Sequence, residues 1–308
     1  MQLSESLTRL QKPRGIFYAI FGTMLWGISG SVAQYLFASA HVSPTWLVGV
    51  RLLSAGILLL GWYVVETHQS LWVIFKGGHG WRLVIFGLLG MMPSQATYFM
   101  AISYGNAATA TVLQFLGPLF IIIYLAAANR QLPRRIDMIS IVIALLGTFL
   151  LVTQGRLTSL ALSLPAVIWG VLAGVSQASY TLLPRPLLKQ FDERLVVGWA
   201  MIIGSLVFLP RVALAMPTHL TLNNWLGIIF IVVGGTAIAY LLYLKSLAYI
   251  DPSATGMLSA FEPLTATVVA VGVLGTHLSM PEVIGGALIL LTTVLQAIPQ
   301  KHFIGGRK

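Results

Sequence analysis

One serine in the chain sits in a setting that suits a nucleophile: Ser29, in the Gly27-Ile28-Ser29-Gly30 run of WGISGSVAQY. A serine hydroxyl attacks only when a base within hydrogen-bond reach takes its proton, and that base is usually histidine. The six histidines are His41, His68, His79, His219, His277 and His302. All fall in loops, tails or the edges of apolar segments, away from the depth of Ser29. No catalytic residue is assigned, and the chain reads as a non-enzyme. Cysteine is absent, which removes disulfides and thiolate metal sites, and no metal or cofactor is expected. No Gly-x-x-x-x-Gly-Lys-[Ser/Thr] phosphate loop occurs, so ATP-driven pumping by this chain is not expected.

Two charged residues lie deep in apolar sequence. Glu262 stands roughly 15 Å along a helix from Asp251, at 1.5 Å per residue. A charge at that depth costs at least ~2.5–3.5 kcal/mol, which implies pairing, protonation or function. Three roles are open for it: proton coupling or binding of a substrate amine, a structural pair with Arg51, or neither. Arg51 is the one basic residue more than five positions from an end of its apolar segment. It can pair with Glu262, snorkel to the nearer surface, or hold a substrate carboxylate.

Amides and aromatics surround these charges in sequence. Trp26, Tyr98, Trp169, Tyr180, Tyr240 and Tyr243 lie in or beside segments that also carry Gln34, Gln95 and Gln177. Deep aromatics serve as core packing or as substrate-stacking walls, whereas Trp46, Trp62, Trp81 and Trp225 stand at segment ends, where interfacial anchors belong. Pro118 and Pro263 fall inside helical segments, and each leaves the carbonyl four residues earlier without its donor. Those carbonyls belong to Gln114 and Ser259. Freed carbonyls are costly in hydrocarbon, so the kinks are expected to face protein or a water-filled cavity.

The elements that must hold these groups follow from composition. Of 308 residues, 57% are hydrophobic and 8% charged, against ~25% charged in soluble domains. Ten apolar runs approach the ~20 residues a membrane helix needs: 15–37, 44–65, 82–103, 107–128, 136–153, 162–182, 195–215, 225–247, 253–275 and 283–299. The first run is too long for a cleavable signal peptide. The net charge of +10 sorts by loop rather than marking a nucleic-acid surface. With both termini cytoplasmic, 15 of the 18 Lys and Arg fall on the inner side, Arg156 and Arg211 on the outer, and Arg51 within a span. That asymmetry is what basic residues impose during insertion.

The chain also repeats itself. YFMAISYGNAATATVLQFLGP (98–118) aligns without a gap to YLKSLAYIDPSATGMLSAFEP (243–263), matching Tyr98 to Tyr243 and Pro118 to Pro263. Gly27-x-Ser29 matches Gly174-x-Ser176, and Val48-Gly49 matches Val197-Gly198. The matching Gly27, Gly30 and Ser31, and Gly170, Gly174 and Ala178, form small-residue faces suited to close helix packing. Five spans per half is an odd number, so the second copy must enter the membrane inverted. Inverted repeats are a transporter architecture, with the substrate near the midplane between halves.

Two five-helix repeats, the early Trp26-Gly27, a proline in the fourth helix of each repeat and the Glu262-Pro263 pair resemble the drug/metabolite transporter superfamily, EamA-type. WGISGSVAQYLF followed by VRLLSAGILLL most resembles its carboxylate/amino acid/amine branch. Where such repeats often carry Gly-Glu after the fourth helix, this chain reads Asn129-Arg130 and Gly275-Thr276, so no role passes to a glutamate there. The resemblance implies transport of small metabolites, often export, driven by an ion gradient or exchange.

The expected fold is an all-α membrane protein of ten transmembrane helices in two inverted five-helix repeats. It divides into a tail at 1–14, a first repeat at 15–153, an outer linker at 154–161, a second repeat at 162–299 and a tail at 300–308. The expected function is secondary-active export of amino acids or related metabolites from a cell membrane. The alternatives are a multidrug-type cation exporter, and then a membrane enzyme or lipid flippase. Candidate substrate-binding residues are Trp26, Gln34, Gln95, Tyr98, Gln114, Trp169, Gln177, Tyr180, Tyr243 and Ser259; Glu262 and Arg51 are the coupling candidates. Expected partners are a small metabolite, a coupling proton and the lipid bilayer, without nucleic acid. The sequence does not choose between monomer and homodimer.

Overall fold

The computed structural model describes residues 2–130, 132–133, 135–156, 160–246, 249–250, 255 and 258–297. Asp251, Thr158, much of the start of the ninth expected span and the tail at 300–308 lie outside them. Short polar residues set the helix starts by accepting the orphan N–H groups of a first turn. Asn106 caps through Thr109 N–H at 2.9 Å, Ser163 through Ala166 N–H at 3.3 Å and Thr221 through Asn224 N–H at 3.4 Å. Prolines take first-turn positions, where their missing N–H costs nothing, as at Pro44 and Pro165.

The described helices, in chain order, are α1 (Gln2–Ser39), α2 (Pro44–Thr67), α3 (Gly80–Ile85), α4 (Met92–Tyr104), α5 (Ala107–Gln114), α6 (Gly117–Asn129) and α7 (Arg135–Thr153), then α8 (Leu164–Leu182), α9 (Arg185–Leu188), α10 (Glu193–Leu206), α11 (Leu209–Leu214), α12 (Leu222–Ile229), α13 (Ala239–Ser246), α14 (Phe261–Gly272) and α15 (Met280–Ala297). A 3₁₀ turn spans Leu71–Gly78, and π-helical segments Phe86–Met91 and Phe230–Ile238 join α3 to α4 and α12 to α13. Among the described residues, seven helical stretches are long and apolar enough to cross a membrane, and the apolar α14 and α15 are shorter. Residues such as Ile57, Leu145 and Val268 face outward, as a lipid-facing surface requires.

Three expected segments differ in detail. The run at 195–215 is interrupted at Val207 and Phe208, where Pro210 starts α11. The run at 107–128 breaks between Gln114 and Gly117, ahead of Pro118. The expected tail before residue 15 continues α1 back to Gln2. Trp46, expected as an interfacial anchor, is 3% exposed and packs in the core.

The two halves interleave rather than sit side by side. The first helix of each packs on the third and fourth segments of the other: α1 on α13 and α14, α8 on α4, α5 and α6. Matching helices then pair with each other, α2 with α10 and α7 with α15. Small residues permit these crossings. A methyl on Gly147 would meet the Gly285 carbonyl at 2.7 Å, and one on Gly27 would run into the carbonyl oxygen of Glu262. The small-residue faces therefore do pack helix on helix.

Both π-segments occupy the same place in their halves and begin alike, with Phe86 four residues before Gly90 and Phe230 four before Gly234. In each, the phenylalanine ring covers the space a side chain on that glycine would need. A side chain from another helix donates to a carbonyl of each segment: Ser179 to Leu89 and Arg51 to Gly235. Such local π winding is uncommon and concentrates at functional sites.

Candidate functional site

A cavity of about 610 Å³ lies where the halves meet, within the ~300–1,000 Å³ usual for small-molecule sites. One wall is aromatic. Trp26 meets Tyr240 edge-on and Tyr243 at a tilt, each with ring centroids 5.1 Å apart. Tyr180 donates from its hydroxyl to that of Tyr240 at 3.1 Å and packs 5.7 Å from the Phe86 ring. Tyr98 is fixed by a 2.9 Å hydrogen bond with Thr111.

The amides and the helix break line the same space. Gln114 ends α5, and its Nε2 donates to Gln177 Oε1 of α8 at 3.3 Å. Gln95, Pro118 and Ser259 also line the space, as does Glu262 in the first turn of α14. The second kink resolves differently from expectation: the Ser259 carbonyl accepts the Glu262 N–H at 2.9 Å, so a tight turn satisfies it. Pro263 is buried beside the cavity rather than lining it.

Arg51 is 5% exposed, so it does not snorkel. Its Nε donates to Thr236 Oγ1 at 2.6 Å and its Nη2 to the Gly235 carbonyl at 3.3 Å, with Cζ 5.0 Å from the Phe99 ring centroid. Arg51 and Glu262 both line the cavity, yet among the described residues the direct ion pairs are those of Arg194 with Glu66 and with Asp192. The two deep charges share a space without closing on each other.

Two candidates lie elsewhere. Gln34 is tied up at the end of α1, donating to Thr276 Oγ1 at 3.2 Å and accepting the Ala107 N–H at 2.8 Å. Trp169 packs against the main hydrophobic core. Phe86, Phe115, Thr181, Pro184 and Glu193 line the cavity as well, and sequence reasoning passed over them. The repeated Phe-x-x-x-Gly pattern is the signal that could have found Phe86. Ser29 is 1% exposed, packs on Gly235 and has a hydroxyl without a hydrogen-bond partner among the described residues. The described histidines all sit outside the membrane-length helical stretches, and His302 is outside the described residues. Ser29 is a packing residue.

The chain is similar to known membrane proteins over nearly its full length. The model of the EamA-like transporter family matches twice, at residues 13–153 and 164–297, which makes the repeat explicit. The uncharacterized inner membrane transporter YicL of Salmonella typhimurium is 34% identical over 291 residues, covering 94% of this chain and 97% of that protein. The uncharacterized transporter YwfM of Bacillus subtilis is 28% identical over 94% of this chain and 97% of its own length. Protein PecM of Dickeya dadantii is 24% identical over 90% of each. A solved crystal structure, 17% identical, superposes with a TM-score of 0.61 over 92% of this chain and 95% of its own, which shows the fold. On the doubled family match and the long relatives, this multi-pass membrane protein belongs to the EamA-like transporter family and is a membrane transporter.

Proposed function

We propose that this chain is a secondary-active exporter of amino acids or closely related small metabolites, working by alternating access. The interrupted segment at 195–215 and the shorter α14 and α15 add to the seven long stretches to make ten spans, arranged as two inverted five-helix repeats with both termini in the cytoplasm. The observation that carries the reading is the cavity between the halves, lined by Trp26, Tyr240 and Tyr243, by Gln95, Gln114 and Gln177, and by Glu262 and Arg51 in the same space. Apolar walls with a few convergent polar groups are what a small-molecule site requires. Amides and opposite charges suit a solute with both an ammonium and a carboxylate end.

Glu262 and Arg51 act as the coupling charges, with a proton gradient or exchange as the driving force. The aromatic wall beside Glu262 also fits a cation, held by attraction to ring faces, and this favours the multidrug-type alternative. The nearby Arg51 charge opposes it. Transport by the purified protein in proteoliposomes decides. Loaded with an amino-acid mixture, they should release a subset of it when an inward proton gradient is imposed. Release of quaternary ammonium compounds with no amino acid moved would overturn the reading in favour of the alternative.

A further inference from the structure

Arg51 is a buried cation whose partners are neutral. A guanidinium carries five N–H donors in a rigid plane. The edge formed by Nε and Nη2 is taken up by Thr236 Oγ1 and the Gly235 carbonyl, and Cζ lies over the Phe99 ring, 5.0 Å from its centroid. Among the described residues no other acceptor bonds to it and no carboxylate closes on it. The end-on pair of Nη1 and Nη2 hydrogens is left, and this parallel fork matches a carboxylate. A buried charge without a counterion is strongly destabilising, so so exact a mounting needs an explanation beyond packing.

The mounting is built by the second π-segment. Thr236 donates its own hydroxyl to Ile231, five residues back, at 2.8 Å. That leaves the oxygen lone pairs to accept from Arg51. Gly235 lets α1 approach closely, because any side chain there would collide with Ser29. The small face around Ser29 thus presses on the very turn whose carbonyl holds the guanidinium. Arg51 cannot swing away without giving up both of its hydrogen bonds to this turn.

We propose that Arg51 is the carboxylate-recognition group of the cavity, so that the transported solute must carry a carboxylate, and that Thr236, Gly235 and Ser29 are positioning residues acting through it. This rests on the cavity being the substrate site. The carboxylate docks end-on against Nη1 and Nη2, the aromatic wall receives the solute's apolar part, and any ammonium group points to Glu262. Monovalent cations are excluded by the same fixed charge.

The test compares acids with their own amides in proteoliposomes. One set is the mixture of L-amino acids against the matching primary amides; a second is 3-phenylpropionate and a set of aliphatic monocarboxylates against theirs. Each wild-type substrate should be preferred over its amide by ~10- to 100-fold, the usual scale for leaving a buried charged donor unpaired. Arg51→Gln should shrink that preference to near unity, and Arg51→Lys, with charge but no planar fork, should keep only part of it. Thr236→Val should weaken acid preference while Thr236→Ser restores it, an outcome that mere structural support would not produce. Equal handling of acid and amide by the wild type overturns the proposal, as does a wild type that moves none of the acids. A folded Arg51→Gln that keeps the preference also overturns it. If Arg51→Gln fails to reach the membrane, the wild-type pairs and the Thr236 variants still decide. Monocarboxylates moved with acid preference while amino acids are ignored would sink the amino-acid reading and leave Arg51 standing. Amino acids and their amides moved alike would do the reverse.

Discussion

The side-chain oxygen of Gln34 accepts the Ala107 N–H at 2.8 Å while its amide donates to Thr276 at 3.2 Å. Ala107 opens α5, so this N–H is one of the donors a helix leaves without an internal partner. One glutamine therefore ties α1 to α5 and to the segment after α14. Counting from Gly27 and Gly174, its counterpart in the second half is Thr181. That hydroxyl turns back on its own helix, to the Gln177 carbonyl at 2.8 Å, and Thr181 lines the cavity. The same position is a tie in one half and part of the cavity wall in the other. Under the proposed alternating access, this is an asymmetry the cycle would exchange.

If the Gln34 tie holds one end shut, Gln34→Ala should shift the population toward the state open at that end. Losing a buried hydrogen bond at ~1–3 kcal/mol corresponds to a ~5- to 100-fold change in the equilibrium. Ala107 is fully buried, and the chain has no native cysteine, so Ala107→Cys is a clean reporter. Its labelling rate should rise in the Gln34→Ala background. Unchanged labelling would remove Gln34 from the closing contact.

The proposed inverted topology makes a separate demand. A cysteine at Ser43, between α1 and α2, should react with an impermeant thiol reagent from outside intact cells. One at Ser70, between α2 and the 3₁₀ turn, should react only after permeabilisation. The reverse pattern would place both termini outside and invalidate the charge-based orientation.

Coupling through Glu262 predicts a specific failure. Glu262→Gln should abolish gradient-driven accumulation and still permit exchange of substrate for substrate. One charge moved across 100 mV supplies ~2.3 kcal/mol, or roughly 50-fold accumulation, which the variant should lose. A folded variant that accumulates normally would exclude this carboxylate from coupling.

Away from the membrane core, Asp192 caps α10 and accepts from both the Arg194 N–H and its guanidinium at 2.9 Å. Those Arg194 hydrogen bonds hold its carboxyl below the usual carboxylate range. A depressed value in the folded state means the stabilisation is complete above the unfolded value of ~3.9 and is lost as pH falls through the lower folded one. Asp192→Ala should cost ~1 kcal/mol at neutral pH, as cap removal does. The difference in unfolding midpoint between variant and wild type should close below about pH 4.

Hydropathy and the positions of proline made most of the helical stretches and the break before Pro118 readable in the sequence, because burial in lipid leaves little freedom in composition. What could not be read was which face of a helix meets the cavity. Gln34 and Gln114 are both amides in apolar runs, yet one ties segments together and the other lines the cavity, a difference set by helix rotation and crossing. The partners of Arg51 lie 185 and 184 residues away, in a segment whose π winding no local periodicity reveals. Ser259 was expected to expose its carbonyl, but a turn three residues long satisfied it, which depends on how α14 begins.

The last prediction sets the cavity against the motif around Ser29. Gln114→Ala strips the cavity of an amide and leaves Gln177 unpaired, so apparent affinity should weaken by ~5- to 100-fold, matching ~1–3 kcal/mol, at an unchanged amount of protein in the membrane. Ser29→Ala removes a hydroxyl that is 1% exposed and unpartnered among the described residues. Burying such a group costs ~1–3 kcal/mol, so this variant should unfold at the same temperature as the wild type or higher. Its effect on transport should be small, because the alanine Cβ still fills the space beside Gly235. Ser29→Leu, by contrast, has no room against Gly235 and should displace the turn that holds Arg51, lowering transport with it. A dead Ser29→Ala beside a fully active Gln114→Ala would move the substrate site away from the amide wall and toward the first helix.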